Sequence, residues 1–87
     1  MIVATHRSFD KLYRKLQKAI REAFHERKEL FIIDRHNPLL NDHSLSGEWY
    51  GCRCINVTGD YRAIYFWKDV ETVIFIAIGT HHELYGS

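Results

Sequence analysis

The sequence predicts an α+β fold, in which two N-terminal helices pack on a twisted antiparallel sheet of about four strands. Two observations lead to this prediction. Residues 8–37 contain no glycine or proline, and their apolar side chains recur every three or four residues, as in amphipathic helices. From residue 49 onward, apolar residues instead alternate or run together in short segments separated by turns, as in strands.

Residues 2–5 form a short β-prone segment before the helices. The helical pattern is too long for one helix in a chain of 87 residues, so we expect a break between residues 16 and 18. Pro38 ends the second helix, because the residue before a proline avoids the helical conformation, and residues 39–47 follow as a polar loop. Three strands come next as an antiparallel meander, and we assign residues 1–87 to a single domain. The strands are predicted at residues 49–57, 61–67 and 72–78.

The bulk composition is that of a globular protein, with 46% hydrophobic and 26% charged residues. No apolar run approaches the roughly 20 residues that cross a bilayer, so we expect a cytoplasmic protein with no membrane contact. Cys52 and Cys54 lie too far apart on a strand for an unstrained disulfide, which predicts reduced thiols. Residues 1–36 carry nine Lys and Arg against five Asp and Glu. This basic half could meet an acidic partner or a phosphate backbone, or could simply be a solvated helix face.

The alternation of the strands predicts which side chains share a face. If Val57 pairs with Asp60 across the turn, the strand residues divide into two sets, one on each face of the sheet. We place the more apolar set in the core, under the helices. That set contains Cys52, Cys54, Tyr61, Ala63, Tyr65, Ile74, Ile76 and Ile78. The opposite face then carries Arg53, Ile55, Val57, Asp60, Arg62, Ile64 and Phe66, and its polar end would bring Arg53, Asp60 and Arg62 together.

Several side chains in the second half could carry chemistry, although each has an ordinary structural use. A loop histidine, a turn aspartate, a paired arginine and a packed tyrosine are all common. Together they supply proton-transfer groups, cations and an aromatic ring, which suits cleavage of a phosphodiester. The candidates are His43, Asp60, His81 and Tyr85, with Arg53 and Arg62 for phosphate. Zinc binding by His43, His81, His82 and Asp60 is the competing use, but the spacing of a zinc motif is missing.

Four motifs in this half resemble those of one toxin family. They are residues 37–47 (NPLLNDHSLSG), 50–53 (YGCR), 59–65 (GDYRAIY) and 79–85 (GTHHELY). In this order they are similar to YafQ-type toxins of the RelE/ParE superfamily. The resemblance is strong over residues 37–87, whereas the helical part agrees in layout and length more than in motif.

The resemblance implies the toxin of a type II toxin–antitoxin pair, with helices packed on a curved antiparallel sheet. YafQ-like members cut mRNA on the ribosome without a metal or cofactor, by attack of the RNA 2′-hydroxyl. The implied partners are therefore a cognate antitoxin, mRNA and the ribosome. By position, His43, His81 and Asp60 match catalytic residues of the family. Tyr85 matches an aromatic position near the substrate, and Arg62 matches a phosphate-stabilising arginine of the RelE branch.

One departure from the family pattern is Asn56, which stands where YafQ-type toxins have a further histidine. Asparagine transfers no protons, so the acid–base work would rest on His43, His81 and Asp60, or activity would be reduced. Two alternatives stay open beside the nuclease. One is a gyrase inhibitor of the ParE branch, against which the histidines at 43 and 81 argue. The other is an inactive member of the fold that only binds its antitoxin.

Overall fold

The structure, a computed structural model, describes residues 1–86 and contains three helices and one five-stranded sheet. Its elements in chain order are β1 (Ile2–Thr5), α1 (Arg7–Arg14), α2 (Lys18–Ile33), β2 (His43–Ser44), a 3₁₀ turn (Gly47–Trp49), β3 (Arg53–Asn56), β4 (Tyr61–Trp67), β5 (Thr72–Thr80) and α3 (His81–Tyr85). The predicted single domain extends to Ser87, which lies outside the described residues.

The α+β class and the helical hairpin are confirmed. Helix α1 ends at Arg14 and α2 begins at Lys18, so the break covers residues 15–17 and overlaps the position expected from the length of the helical pattern. Aromatic rings hold both helices on the sheet: Phe9 of α1 lies 5.0 Å from Phe24 of α2, and Phe24 lies 5.2 Å from Phe75 of β5, between ring centroids. Phe31 is also fully buried. Burying an aromatic side chain of this size stabilises the fold by about 1.5–3 kcal/mol.

The sheet is mixed and has five strands, rather than the four antiparallel strands expected. Its spatial order is β1-β5-β4-β3-β2, with β1 parallel to β5 and every other pair antiparallel. The additional strand β2 lies within the segment predicted to be a loop, and it pairs His43 with Cys54. Strand β3 begins four residues later than predicted, because the 3₁₀ turn and Gly51, at a φ of 90°, occupy the preceding segment.

The predicted pairing across the β3–β4 turn is wrong by one residue. Asn56 pairs with Arg62, so Val57 lies opposite Tyr61 and not Asp60. Since neighbouring residues point to opposite faces, this slip exchanges the faces of the whole β3 strand. Ile55 and Val57 therefore lie in the core under the helices, and Cys54 lies on the other face.

A register shift between Ile64 and Tyr65 changes the parity of β5. Before the shift, Val73 and Phe75 face the helices instead of the predicted Ile74 and Ile76. After it, Ile78 faces them as expected, opposite Ala63. On the far face Ile64 and Ala77 are buried as well.

Within residues 1–86 no helix has both the length and the apolar character needed to cross a bilayer.

Candidate active site

A cleft of about 400 Å³ lies on the face of the sheet opposite α1 and α2. It is bordered by the edge strand β2, by β3 and β4, and by α3. Of the six predicted site residues, four line it, and four further residues that the sequence did not single out complete the wall. The lining residues are Asn41, His43, Leu45, Ser46, Cys54, Arg62, His81 and Tyr85.

His43 enters the cleft from β2 with one ring nitrogen already engaged. Its Nδ1 atom lies 2.7 Å from the backbone carbonyl oxygen of Asn41. A carbonyl oxygen only accepts hydrogen bonds, so Nδ1 must carry the proton. In the neutral ring the lone pair is then on Nε2, and the side chain is exposed to solvent. His43 is therefore held as a base whose Nε2 can take a proton.

His81 and Tyr85 reach the cleft because a helix, α3, begins directly after β5, where the sequence analysis predicted none. The Thr80 hydroxyl accepts from the Glu83 backbone N–H at 3.1 Å, and the Glu83 carboxylate accepts from the Thr80 N–H at 2.8 Å. This reciprocal capping box starts α3, and Gly86, at a φ of 75°, ends it. Residues four apart share a helix face, so the His81 and Tyr85 rings meet edge to face, 4.6 Å apart.

The phenol of Tyr85 donates to the Cys54 sulfur at 3.4 Å, at the floor of the cleft. Burial raises the pKa of Tyr85 well above its usual value, and burial likewise raises the pKa of the Cys54 thiol. Both groups are therefore neutral at physiological pH. The Tyr85 ring forms part of the cleft wall, and its hydroxyl is engaged with Cys54.

Arg62 supplies the positive charge of the cleft. Its Nη1 atom donates to the backbone carbonyls of Thr58 at 2.9 Å, Gly59 at 3.3 Å and Tyr61 at 3.0 Å. The β3–β4 turn thus holds the guanidinium in place. No hydrogen bond within residues 1–86 uses its other two nitrogens, which remain donors for an anion.

Asp60 and Arg53 do not line the cleft. The backbone carbonyl of Asp60 accepts from the His81 N–H at 3.2 Å, so Asp60 anchors the start of α3, while its side chain is exposed. Arg53 pairs with Tyr65 on the helix-covered face, where its Nε donates to Asp42 at 3.0 Å. The predicted cluster of Arg53, Asp60 and Arg62 does not form, because the register differs by one residue.

Asn56 and Cys54 share the cleft-facing side of β3. Asn56 lies opposite Arg62, and its side-chain oxygen is buried without a hydrogen-bond partner among the described residues. If the pairing across the β3–β4 turn had been predicted correctly, the sequence alone would have placed Cys54 on the same face as Arg62. Among residues 1–86, no three His, Cys, Asp or Glu side chains come together as a metal-binding group.

A family model described as "Bacterial toxin of type II toxin-antitoxin system, YafQ" matches residues 1–86. The chain belongs to the YafQ toxin family. It is thus a toxin of a type II toxin–antitoxin system, and the resemblance indicated by the four motifs is confirmed. A comparison with curated protein sequences gave no significant match.

Solved structures support membership of the YafQ family at the level of the fold. The crystal structure of YafQ from Escherichia coli BL21(DE3) is 25% identical, with a TM-score of 0.80 and 97% of each chain covered. YafQ in the E. coli DinJ–YafQ toxin–antitoxin complex is 26% identical, with a TM-score of 0.77 and coverage of 97% of this chain and 96% of that one. A YoeB/ParE toxin from Agrobacterium tumefaciens, 15% identical, shares the fold with a TM-score of 0.75 over 93% of this chain and 99% of that one.

Proposed function

We propose that this toxin is a ribosome-dependent endoribonuclease that cleaves mRNA without a metal ion, by attack of the RNA 2′-hydroxyl on the adjacent phosphate. The observation that carries the proposal is the meeting of two histidines, an arginine and an aromatic ring in one cleft. These are the group types that the reaction needs: a base, an acid, a cation and a surface against which a nucleobase can pack.

In the proposed reaction, Nε2 of His43 takes the proton of the 2′-hydroxyl, and the resulting oxyanion attacks phosphorus. Arg62 stabilises the additional negative charge on the phosphorane through the guanidinium nitrogens that the β3–β4 turn does not use. His81, protonated, gives its proton to the departing 5′-oxygen. The products are a 2′,3′-cyclic phosphate and a 5′-hydroxyl, and the two histidines exchange protonation states in each turnover.

Tyr85 packs against His81 and offers a ring surface to a base of the message. Asp60 keeps its predicted place in the proposed reaction: its backbone carbonyl holds the first residue of α3, and its exposed side chain lies outside the cleft lining. Arg53 already pairs with Asp42, and we assign it no contact with RNA.

The proposed partners are mRNA on the ribosome and a cognate antitoxin. YafQ of E. coli has been solved in complex with the antitoxin DinJ, which supports an antitoxin for this chain. Action on the ribosome would place the protein in the cytoplasm. The excess of Lys and Arg in residues 1–36 supports contact with ribosomal RNA through the helical half.

The test is cleavage of a defined mRNA on purified ribosomes, with EDTA present and the 3′ ends analysed for cyclic phosphate. His81→Ala should lower the rate at least about 100-fold, because it removes a proton-transfer group. His82→Ala is the matched control, because His82 is also an exposed histidine and follows His81 directly, but it does not line the cleft. Equal loss in both variants, or full activity in His81→Ala, would contradict the proposal.

The alternatives from the sequence predict other results in the same assays. Intact mRNA together with inhibited supercoiling by purified gyrase would indicate the ParE branch. Intact mRNA with normal antitoxin binding would indicate an inactive member, which is the outcome that Asn56 at the family's histidine position would favour.

A further inference from the structure

Asp42 is a buried carboxylate immediately before His43, on the opposite face of the sheet from the cleft. Its side chain is only 3% exposed. The Tyr65 hydroxyl lies 2.8 and 2.7 Å from the two carboxylate oxygens, and Arg53 donates from Nε at 3.0 Å. Arg35 places its own Nε 2.9 Å away as an ion pair. Three groups, from the α2–β2 connection, β3 and β4, thus converge on one side chain.

Leu40, two residues before Asp42, is anchored just as firmly in the core. It is fully buried, its N–H donates to the Asn37 carbonyl at 3.0 Å, and its own carbonyl accepts from the Asn56 N–H of β3 at 2.8 Å. Between the two anchors, Asn41 adopts a left-handed backbone with a φ of 45°. Asparagine tolerates this conformation better than most residues. The chain is therefore held on both sides of the one residue whose carbonyl contacts the His43 ring.

The carbonyl that receives the His43 ring proton belongs to the peptide bond between Asn41 and Asp42. Because a peptide unit is planar, holding the Asp42 Cα and side chain also holds the direction of that carbonyl. From this geometry we infer that Asp42 is a positioning residue for His43. Its contacts on the covered face fix the carbonyl that keeps the proton on Nδ1, and so keep the lone pair on Nε2, in the cleft.

The inference rests on the proposed function for its catalytic consequence, but its structural part is measurable without RNA. A purely structural Asp42 would affect stability alone. A positioning Asp42 also sets which ring nitrogen of His43 carries the proton. The ¹⁵N chemical shifts of the histidine ring nitrogens distinguish the two tautomers directly.

The experiment compares Asp42→Asn with wild type, using ring ¹⁵N spectra of the folded protein and cleavage kinetics on ribosomes. We expect the Nδ1–H tautomer of His43 in wild type and a mixture of tautomers in the variant. The kcat for cleavage should fall about 100-fold, the usual scale for a misplaced reacting group, with KM within about twofold. Asp34→Asn is the matched control, since Asp34 is exposed and outside this cluster.

A second variant, Tyr65→Phe, leaves the Asp42 charge in place and removes one donor, so it decides the question if Asp42→Asn does not fold. The same tautomer shift is expected there, to a smaller extent. Unchanged His43 tautomers and unchanged kcat in a folded variant would overturn the inference. A tautomer shift in a protein whose wild type cuts no mRNA would uphold the positioning and reject the proposed function.

Discussion

Two groups of polar side chains lie on opposite faces of the sheet, near the pairing of β2 with β3. Two residues of one group are adjacent in sequence to residues of the other. Asp42, Arg53 and Tyr65 form a closed cluster on the helix-covered side, where each donor meets a carboxylate oxygen. His43 and Cys54, their neighbours in sequence, line the open cleft on the other side. The first group has its polar atoms largely satisfied by the protein, whereas His43 in the second group keeps the lone pair of Nε2 for a ligand.

This difference separates groups that hold the fold from groups that can react. A buried charge without its partners is costly, so the Asp42 cluster should control stability. An exposed histidine contributes little to stability, so His43 should control activity. The alternation of a strand lets adjacent residues take these two roles.

The largest expected effect is on activity at the cleft. His43→Ala should lower mRNA cleavage by about 10²–10⁴-fold, because it removes the proposed base. The free energy of unfolding should change by less than about 0.5 kcal/mol, as for other exposed side chains. Single-turnover cleavage and urea unfolding of the same preparation measure both. A strongly destabilised His43→Ala protein would remove the contrast between the two faces.

The next effect is on stability at the closed cluster. Asp42→Ala should lower the free energy of unfolding by about 3 kcal/mol, because Arg53 and Arg35 lose their carboxylate. Urea unfolding monitored by circular dichroism measures the change. Asp34→Ala, at the exposed end of α2, should change it by less than about 0.5 kcal/mol. Similar losses of unfolding free energy in the two variants would show that the Asp42 cluster stabilises the fold no more than an exposed carboxylate does.

A matched pair of tyrosines gives a smaller contrast. Burial raises the pKa of Tyr65 to about 12, so its hydroxyl remains a donor to Asp42 at physiological pH. Tyr65→Phe should cost about 1.5–3 kcal/mol of stability, the range for a hydrogen bond to a charged group. Tyr85→Phe loses only a weak bond to sulfur and should cost less than about 0.5 kcal/mol. Thermal and urea unfolding of both variants would test the order.

The smallest effect concerns the pH dependence of α3. Hydrogen bonds from the Thr80 backbone and side chain hold the pKa of the Glu83 carboxyl below its usual 4.5. The lowered pKa means that the charged carboxylate stabilises the folded state above that usual value, and that this stabilisation is lost as the pH falls through the folded pKa.

The stability difference between wild type and Glu83→Gln should therefore be present at neutral pH and vanish at the acid end. Because Glu83 is exposed and screened by solvent, the difference at neutral pH should be only roughly 0.3 kcal/mol. Urea unfolding of wild type and Glu83→Gln, at neutral pH and at a pH below the folded pKa of Glu83, measures this difference. A difference that grows as the pH is lowered would contradict the capping role of the carboxylate.

The helices were the most predictable part of the fold, since Phe9, Phe24 and Phe31 are all buried as the helical spacing required. Strand β4 was also predicted with its observed bounds. The pairing of β3 with β4 was not, because the turn around Gly59 accommodates more than one register and the pattern gave no reason to choose Asn56 with Arg62. The register shift near Ile64 acts between strands, so no single segment reveals it.

The candidate site likewise contains features that the sequence predicted and features that it did not. His43, Arg62, His81 and Tyr85 were named from their residue types and from the family motifs, while their meeting in one cleft depends on the register and on α3. That helix had a readable signal, the Thr80-x-x-Glu83 capping box followed by Gly86. Asp42 gave none, because only the folded chain brings Tyr65 and Arg53 to it.

The parallel pairing of β1 with β5 bears on how the sheet assembles. Ile2 pairs with Thr72 at the start of β5, so this pairing closes a loop that contains α1, α2 and the strands β2, β3 and β4. Strand β1 therefore takes its place in the sheet only when β5 is formed, and α3 continues directly from β5. A chain cut before β5 would lose the strand that joins β1 to β4, and with it His81, one of the two proton-transfer groups of the proposed reaction.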